Sequence, residues 1–182
     1  MSLTRSGKTI EFRLVHPTDA EFIYNLRMNP KFNTHLSTVS GDVKNQIDWL
    51  EAYKKREQAG IEYYFIIERK APRIPIGVVR VYDFVGDRKS FSWGSWILND
   101  SKTTSSAIES ALIIYDFGFS VLGFTSCHFD VRKDNEKVIS FHEKCGAFKV
   151  DEDEQNIFYN INPETFTKFS ETYAKYLGGH ND

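Results

Sequence analysis

The chain has 182 residues, enough for one domain with a full core and short for two. Lys plus Arg number 23 against 25 Asp plus Glu, a formal net charge of −2, which argues against a broad basic nucleic-acid surface. Hydrophobic residues at 41% and charged residues at 26% exclude a disordered chain, and no apolar run is long enough to cross a membrane.

Arg5, Lys8, Glu11 and Arg13 interrupt the N-terminal stretch, so it lacks the apolar region of a signal peptide. Cys127 and Cys145 are the only cysteines, and no histidine stands at metal-ligand spacing from them. Reduced thiols in a cytoplasmic protein, with no bound metal, are the expectation.

Lys8 to Val15 alternates apolar and polar side chains, the period of a half-buried strand. Thr18 or Asp19 then caps a helix running to about Arg27, and Asn29-Pro30 marks a turn. A second helical pattern follows Ser40, with Val43, Ile47 and Leu50 on one face. Three strands come next: Tyr63 to Ile67, Ile76 to Phe84 after the turn-prone Ala71 to Pro75, and Phe91 to Leu98. Their short connections make an antiparallel meander. Ser106 to Leu122 is helical and apolar nearly all round, hence central. A strand from Thr125 to Val131 places Cys127, Phe129 and Val131 on one face and His128 and Asp130 on the other. A short helix from about Asn135 to Lys144 stops at Gly146. Strands near Phe148–Val150 and Asn156–Ile161 and a helix from Pro163 to Leu177 complete the chain. The order β-α-α-β-β-β-α-β-α-β-β with a C-terminal helix reads as an α/β layered domain on a mixed sheet, its core spanning about residues 8–162.

Two places carry chemistry. Before the central helix the chain reads Asn99-Asp-Ser-Lys-Thr-Thr-Ser-Ser106. Small hydroxylated residues there leave backbone amides free for an anion at a helix N-terminus, although an ordinary Ser/Thr cap has the same composition. Farther on, Asn135 and His142 are seven residues apart, about two helical turns, so both can face one groove while Val138 and Phe141 pack inward. An Asn at a groove mouth can hydrogen-bond a ligand amide, and a His can donate a proton near neutral pH.

The run Val131-Arg-Lys-Asp-Asn135 … Phe141-His-Glu-Lys144 … Gly146-Ala-Phe148 resembles the strand, Asn, helix, Lys, Gly, Phe signature of the GNAT-type N-acetyltransferases. Phe117-Gly-Phe119 … Leu122-Gly123 is similar to the helix end of the branch that includes ribosomal-protein N-terminal acetyltransferases, and Arg27-Met-Asn-Pro30 … Trp49-Leu50 resembles nucleotide-amino-sugar N-acetyltransferases as well as the protein N-terminal branch. The resemblance runs from about Ile10 to Ile161. It implies a mostly antiparallel sheet flanked by helices and direct transfer of an acetyl group from acetyl-coenzyme A to an amine. It further implies pantetheine contacts at Trp96, Ile97, Leu98 and Asn135, and a pyrophosphate site at Lys102, Ser105, Ser106 and Ala107. Ser105 stands where the family carries a glycine, which constrains the backbone there.

His142 occupies the family's proton-donor position, and Asp130 matches a carboxylate that serves as base or water-relay acceptor in some relatives. Glu109 reads as a dipole or packing partner. For the acceptor the resemblance points to Arg27, Phe32, His35, Arg80, Tyr82 and Trp93, a set of guanidinium and aromatic groups suited to a nucleotide-linked sugar. A small-molecule amine, a nucleotide-linked amino sugar among the candidates, ranks ahead of a protein N-terminus, and a coenzyme-binding module without turnover is the reading from another class. Neither nucleic acid nor membrane is an expected partner. An edge strand offers a second copy a place to pair, so a homodimer is compatible with the pattern.

Overall fold

The computed structural model describes residues 5–34 and 41–178, and eight strands within them form one sheet. In chain order these are β1 (Arg5–Ser6), β2 (Ile10–Leu14), β3 (Tyr63–Lys70), β4 (Arg73–Val85), β5 (Ser90–Leu98), β6 (Cys127–Arg132), β7 (Phe148–Glu152) and β8 (Asn156–Ile161). The helices are α1 (Ala20–Met28), α2 (Val43–Gln58), α3 (Ser106–Asp116), α4 (Glu136–Lys144) and α5 (Pro163–Thr172). Across the sheet the order is β1-β2-β3-β4-β5-β6-β8-β7, antiparallel at every pairing except β5 with β6. The arrangement is the mixed α/β one expected, with β1 added at the edge; two residues are too few to leave a pattern.

The two-residue period of the central strands separates two cores. Phe65, Ile67, Val79 and Val81 pack in one cluster with Ala111, Leu112 and Tyr115 of α3. Tyr64, Ile66 and Val78 pack in the other with Ile23 and Leu26 of α1 and Leu50 and Tyr53 of α2. α3 is buried nearly all round, as its composition requires, but regular helix ends at Asp116 and a π-helical turn follows over Phe117–Val121. Gly118 lies in that turn because the Phe91 ring fills the space beside it: a Cβ there would sit 2.1 Å from Phe91 Cζ.

Helix starts differ in detail from expectation. Asp19 precedes α1, yet its carboxylate accepts from Arg13 at 2.8 and 2.9 Å and from the His16 amide instead of capping the helix. The cap of α2 is Asp42, which accepts from the Asn45 amide at 3.0 Å; Ser40 lies outside the described residues. β4 begins at Arg73, inside the stretch read as a turn. Pro75 is accommodated there because the β4–β5 pairing ends at Gly77, leaving that stretch on an open edge.

The feature that makes a site is the junction of β5 and β6. They are registered at one residue pair, Phe91 with Cys127, and then diverge. β5 also carries an extra residue against β4, since Val78 pairs with Ile97 and Arg80 with Gly94. Ser95, in that bulge, has φ of +48°. A bulge sharpens the local twist and turns the strand away from its neighbour.

Candidate active site

The divergence opens a cleft of about 730 Å³. β5 contributes Trp93, Gly94 and Trp96 to its wall, β6 contributes Phe129 and Asp130, and α4 with its lead-in contributes Asn135 and His142. Lys31 and Phe32 reach it from the segment after α1, and Lys102 from the loop before α3. The seven-residue spacing of Asn135 and His142 thus brings both onto one wall, as α-helical geometry requires.

His142 is 6% exposed, with its ring 4.3 Å from that of Phe129 and 5.3 Å from that of Trp93. Its Nδ1 has no protein partner, and neither has the buried Trp96 Nε1. Burial pushes the imidazole down to about 4. Apolar rings surround the group and favour its neutral, hydrogen-bonding form. Asp130 stands in the wall and is exposed, two residues beyond His128 on the same face of β6.

The expected coenzyme residues divide into two groups. Trp96, Lys102 and Asn135 line the cleft. The Ile97 side chain lies in the α1–α2 core, and Leu98 packs on the larger core, each paired on one edge with β4. Ser105 and Ser106 are buried at the start of α3, next to Ala107. Ser105 has φ of −100°, an ordinary right-handed conformation, so serine is unstrained where a glycine was the family habit. Its hydroxyl donates to Glu109 Oε1 at 2.6 Å. Glu109, wholly buried, also accepts from the Thr9 amide at 2.7 Å, the Thr9 hydroxyl at 2.7 Å and the Ile10 amide at 3.2 Å. It fastens β2 to the first turn of α3, whose outward amides have no intrahelical acceptor.

The expected acceptor residues gather mostly beside the cleft. A Cβ on Gly94 would lie 2.8 Å from the Tyr82 hydroxyl, so Tyr82 leans over the bulge. The Arg80 guanidinium stands 5.2 Å from both the Tyr82 and Trp49 rings and pairs with the buried Glu62, which also binds Arg56. Arg27 lies against the Tyr64 hydroxyl. Trp93 and Phe32 are in the cleft wall itself, and His35 lies outside the described residues. Sequence reasoning missed Lys31, whose ammonium meets Asp100 at 2.6 Å, and it missed Glu62 and Arg56, which pair beside Trp49. Gly94-Ser95 between two tryptophans is the one local signal that a strand deforms there. Among the described residues no helix is long and apolar enough to cross a membrane, no group of three or more His, Cys, Asp or Glu could hold a metal, and both cysteines are free.

A bulged strand thus diverges from its parallel neighbour, with the N-terminus of α3 behind the gap. The family model for the acetyltransferase (GNAT) domain matches residues 9–147, and the chain belongs to that family of N-acetyltransferases, which use acetyl-coenzyme A. The chain is similar to apo FdhC, a nucleotide-linked sugar GNAT, at 49% identity and a TM-score of 0.91, covering 98% of this chain and 100% of that one. It shares its fold with spermidine N-acetyltransferase from Vibrio cholerae in complex with CoA and spermine (18% identity, TM-score 0.72, 87% and 98% covered). It also shares it with ribosomal-protein-S5-alanine acetyltransferase from Vibrio fischeri (16%, 0.75, 87% and 96%). No curated protein sequence matches the chain.

Proposed function

We propose that this chain acts as one acetyltransferase domain that moves an acetyl group from acetyl-coenzyme A to the primary amine of a nucleotide-linked amino sugar. The observation that supports this most is the cleft at the β5–β6 divergence, flanked through Tyr82 by a guanidinium–aromatic cluster and matched along its whole length by a nucleotide-linked sugar GNAT.

Backbone groups of Trp96, Ile97 and Leu98 on the free edge of β5 serve the pantetheine amides, and the Asn135 side chain serves one more. Lys102 and the first-turn amides at Ser105, Ser106 and Ala107 take the pyrophosphate. Arg27, Arg80 and Tyr82, with His35, hold the nucleotide, since guanidinium binds phosphate bidentately and aromatic rings stack on bases. Trp93 closes the floor under the sugar. An alkylamine is protonated at neutral pH, with a free pKa of roughly 10, so Asp130 accepts its proton directly or through water. The neutral His142 imidazole donates a hydrogen bond to the sulfur as the C–S bond breaks. Positioning of amine and thioester supplies much of the rate.

The test is thiol release with a mass shift of the product, over a nucleotide-linked amino sugar, spermidine and an N-terminal peptide. The highest kcat/KM for the nucleotide-linked sugar is expected. Release with spermidine or the peptide alone would overturn the acceptor assignment. Calorimetric binding of acetyl-coenzyme A without release from any amine would overturn the enzyme reading in favour of a binding module.

A further inference from the structure

Beside the Phe91–Cys127 pair where the cleft starts, and outside the cleft's own lining, three side chains from three strands are joined in a chain, and Asp83 at its end lines a separate pocket of about 470 Å³. His128 of β6 meets Asp83 of β4 through Nε2 at 2.8 Å and Ser90 of β5 through Nδ1 at 2.6 Å. A carboxylate only accepts, so Nε2 carries the hydrogen, and in the neutral imidazole Nδ1 accepts from the Ser90 hydroxyl. The sheet is deformed to allow this. Tyr82 pairs with Ser92 and Val85 with Ser90, which leaves an extra residue on β4, and Asp83 within it has φ of +53°. A non-glycine residue there costs on the order of 1 kcal/mol, and such strain gathers at working sites. His128 shares its face of β6 with Asp130, about 7 Å along the strand. Asp83 is 62% exposed, so the chain of groups ends in solvent.

We propose that Ser90, His128 and Asp83 are the proton exit of the acceptor site. This rests on the N-acetyl transfer described above. The acceptor ammonium gives one proton to a water held against Asp130. From that water the proton passes through further water molecules along the shared face of β6 to Ser90 Oγ, while the original Ser90 hydroxyl proton moves to His128 Nδ1. The resulting imidazolium donates from both nitrogens, to Ser90 and to Asp83. The freed amine then attacks the thioester carbon and the C–S bond breaks, its electron pair leaving on sulfur. A second proton from the nitrogen goes to that sulfur, His128 gives its Nε2 proton to bulk water beside Asp83, and tautomer exchange through solvent, from Nδ1–H to Nε2–H, restores the starting imidazole.

The titratable groups facing His128 are Asp83 and Tyr82 from β4 and Asp130 from its own strand. β5 and β8 present the neutral Ser90, Ser92 and Asn160.

His128→Gln can keep hydrogen bonds to both neighbours but cannot hold a proton, which separates a relay from a clasp. Its kcat/KM for the acceptor at pH 7 is expected to fall about 100-fold or more. The deficit should shrink about tenfold per pH unit as pH rises toward the acceptor amine's own pKa, with melting temperature and acetyl-coenzyme A binding unchanged. Ser90→Ala, which leaves the imidazole intact, should show the same pH-dependent deficit and serves if the Gln variant fails to fold. A deficit equal at every pH, or none, would overturn the relay, as would a pH-dependent deficit in Asp130→Asn alone. If the unsubstituted enzyme releases no thiol with any amine, the reaction reading fails and the relay falls with it. An active enzyme with pH-independent variants sinks the relay alone.

Discussion

A histidine packed among Trp93, Phe129 and Phe141 with nothing to share its charge excludes a proton that the unfolded chain would accept. Burial holds His142 at about 4, below the roughly 6.5 of free imidazole. Its contribution to stability is therefore complete above about pH 6.5 and is lost as pH falls from there toward 4, at most about 3 kcal/mol in all. Asp19 and Glu62 fail in a lower window. Burial pushes both carboxyls up, but Arg13 on the first, and Arg80 and Arg56 on the second, outweigh it and hold them below the usual carboxylate range. Urea unfolding at pH 7 and pH 4.5 should show the native protein losing about 2–3 kcal/mol and His142→Phe losing clearly less. An equal loss in both would place the acid sensitivity elsewhere. Glu109 behaves oppositely, as a buried acceptor that two backbone amides depend on. Glu109→Ala leaves the Thr9 and Ile10 amides without that acceptor, at about 1–3 kcal/mol each, while Glu109→Gln keeps one carbonyl oxygen and should cost less than half as much. Thermal melts of the two variants check the ratio.

At the scale of elements the decisive object is the β5 bulge, because it turns a strand edge into a cleft wall. Ser95 holds φ of +48°, which glycine adopts freely and a β-branched residue resists. Ser95→Gly should bind acetyl-coenzyme A within about threefold of the native protein. Ser95→Val should straighten the strand and weaken binding by about tenfold or more, since forcing it costs on the order of 1–3 kcal/mol; calorimetry reads both. This bulge also marks the limit of what the sequence discloses. Element types followed from periodicity, and the Asn135–His142 spacing was legible because a single helix carries both. The bulges at Asp83 and Ser95 were not, because the residues there fit an ordinary strand pattern and the extra residue appears only against the pairing partner. The Asp83–His128–Ser90 chain was hidden for the same reason, as residues 45 and 38 positions apart meet only through strand order. The burial of His142 was not legible either, since it is set by Trp93 and Phe129 from distant strands. Of the turn-prone stretch before β4, Ala71 and Pro72 form the turn and Arg73 to Pro75 are already strand, where Pro75 falls beyond the reach of β5.

Taken whole, the sheet consists of an antiparallel part from β1 to β5 and a second from β6 to β7, joined in register only at Phe91 and Cys127. Below the junction the shared core of α3, α5 and both strand sets holds them together; above it they are held apart. A ligand spanning the gap binds the native chain alone and so stabilises it by mass action, about 2.7 kcal/mol at a hundredfold excess over Kd. For a domain of this size that corresponds to a rise in Tm of about 5–11 °C. If the coenzyme binds as proposed, the same saturation should slow amide exchange most along the free edge of β5 and least in β2 and β3, which already have partners on both sides. Lys102→Ala, which removes a cleft-wall cation and no core contact, should melt like the native protein without ligand and show a smaller rise at the same ligand concentration. A rise in Tm without protection along β5 would mean that the coenzyme binds away from the divergence, and the cleft would then have no claim to the chemistry.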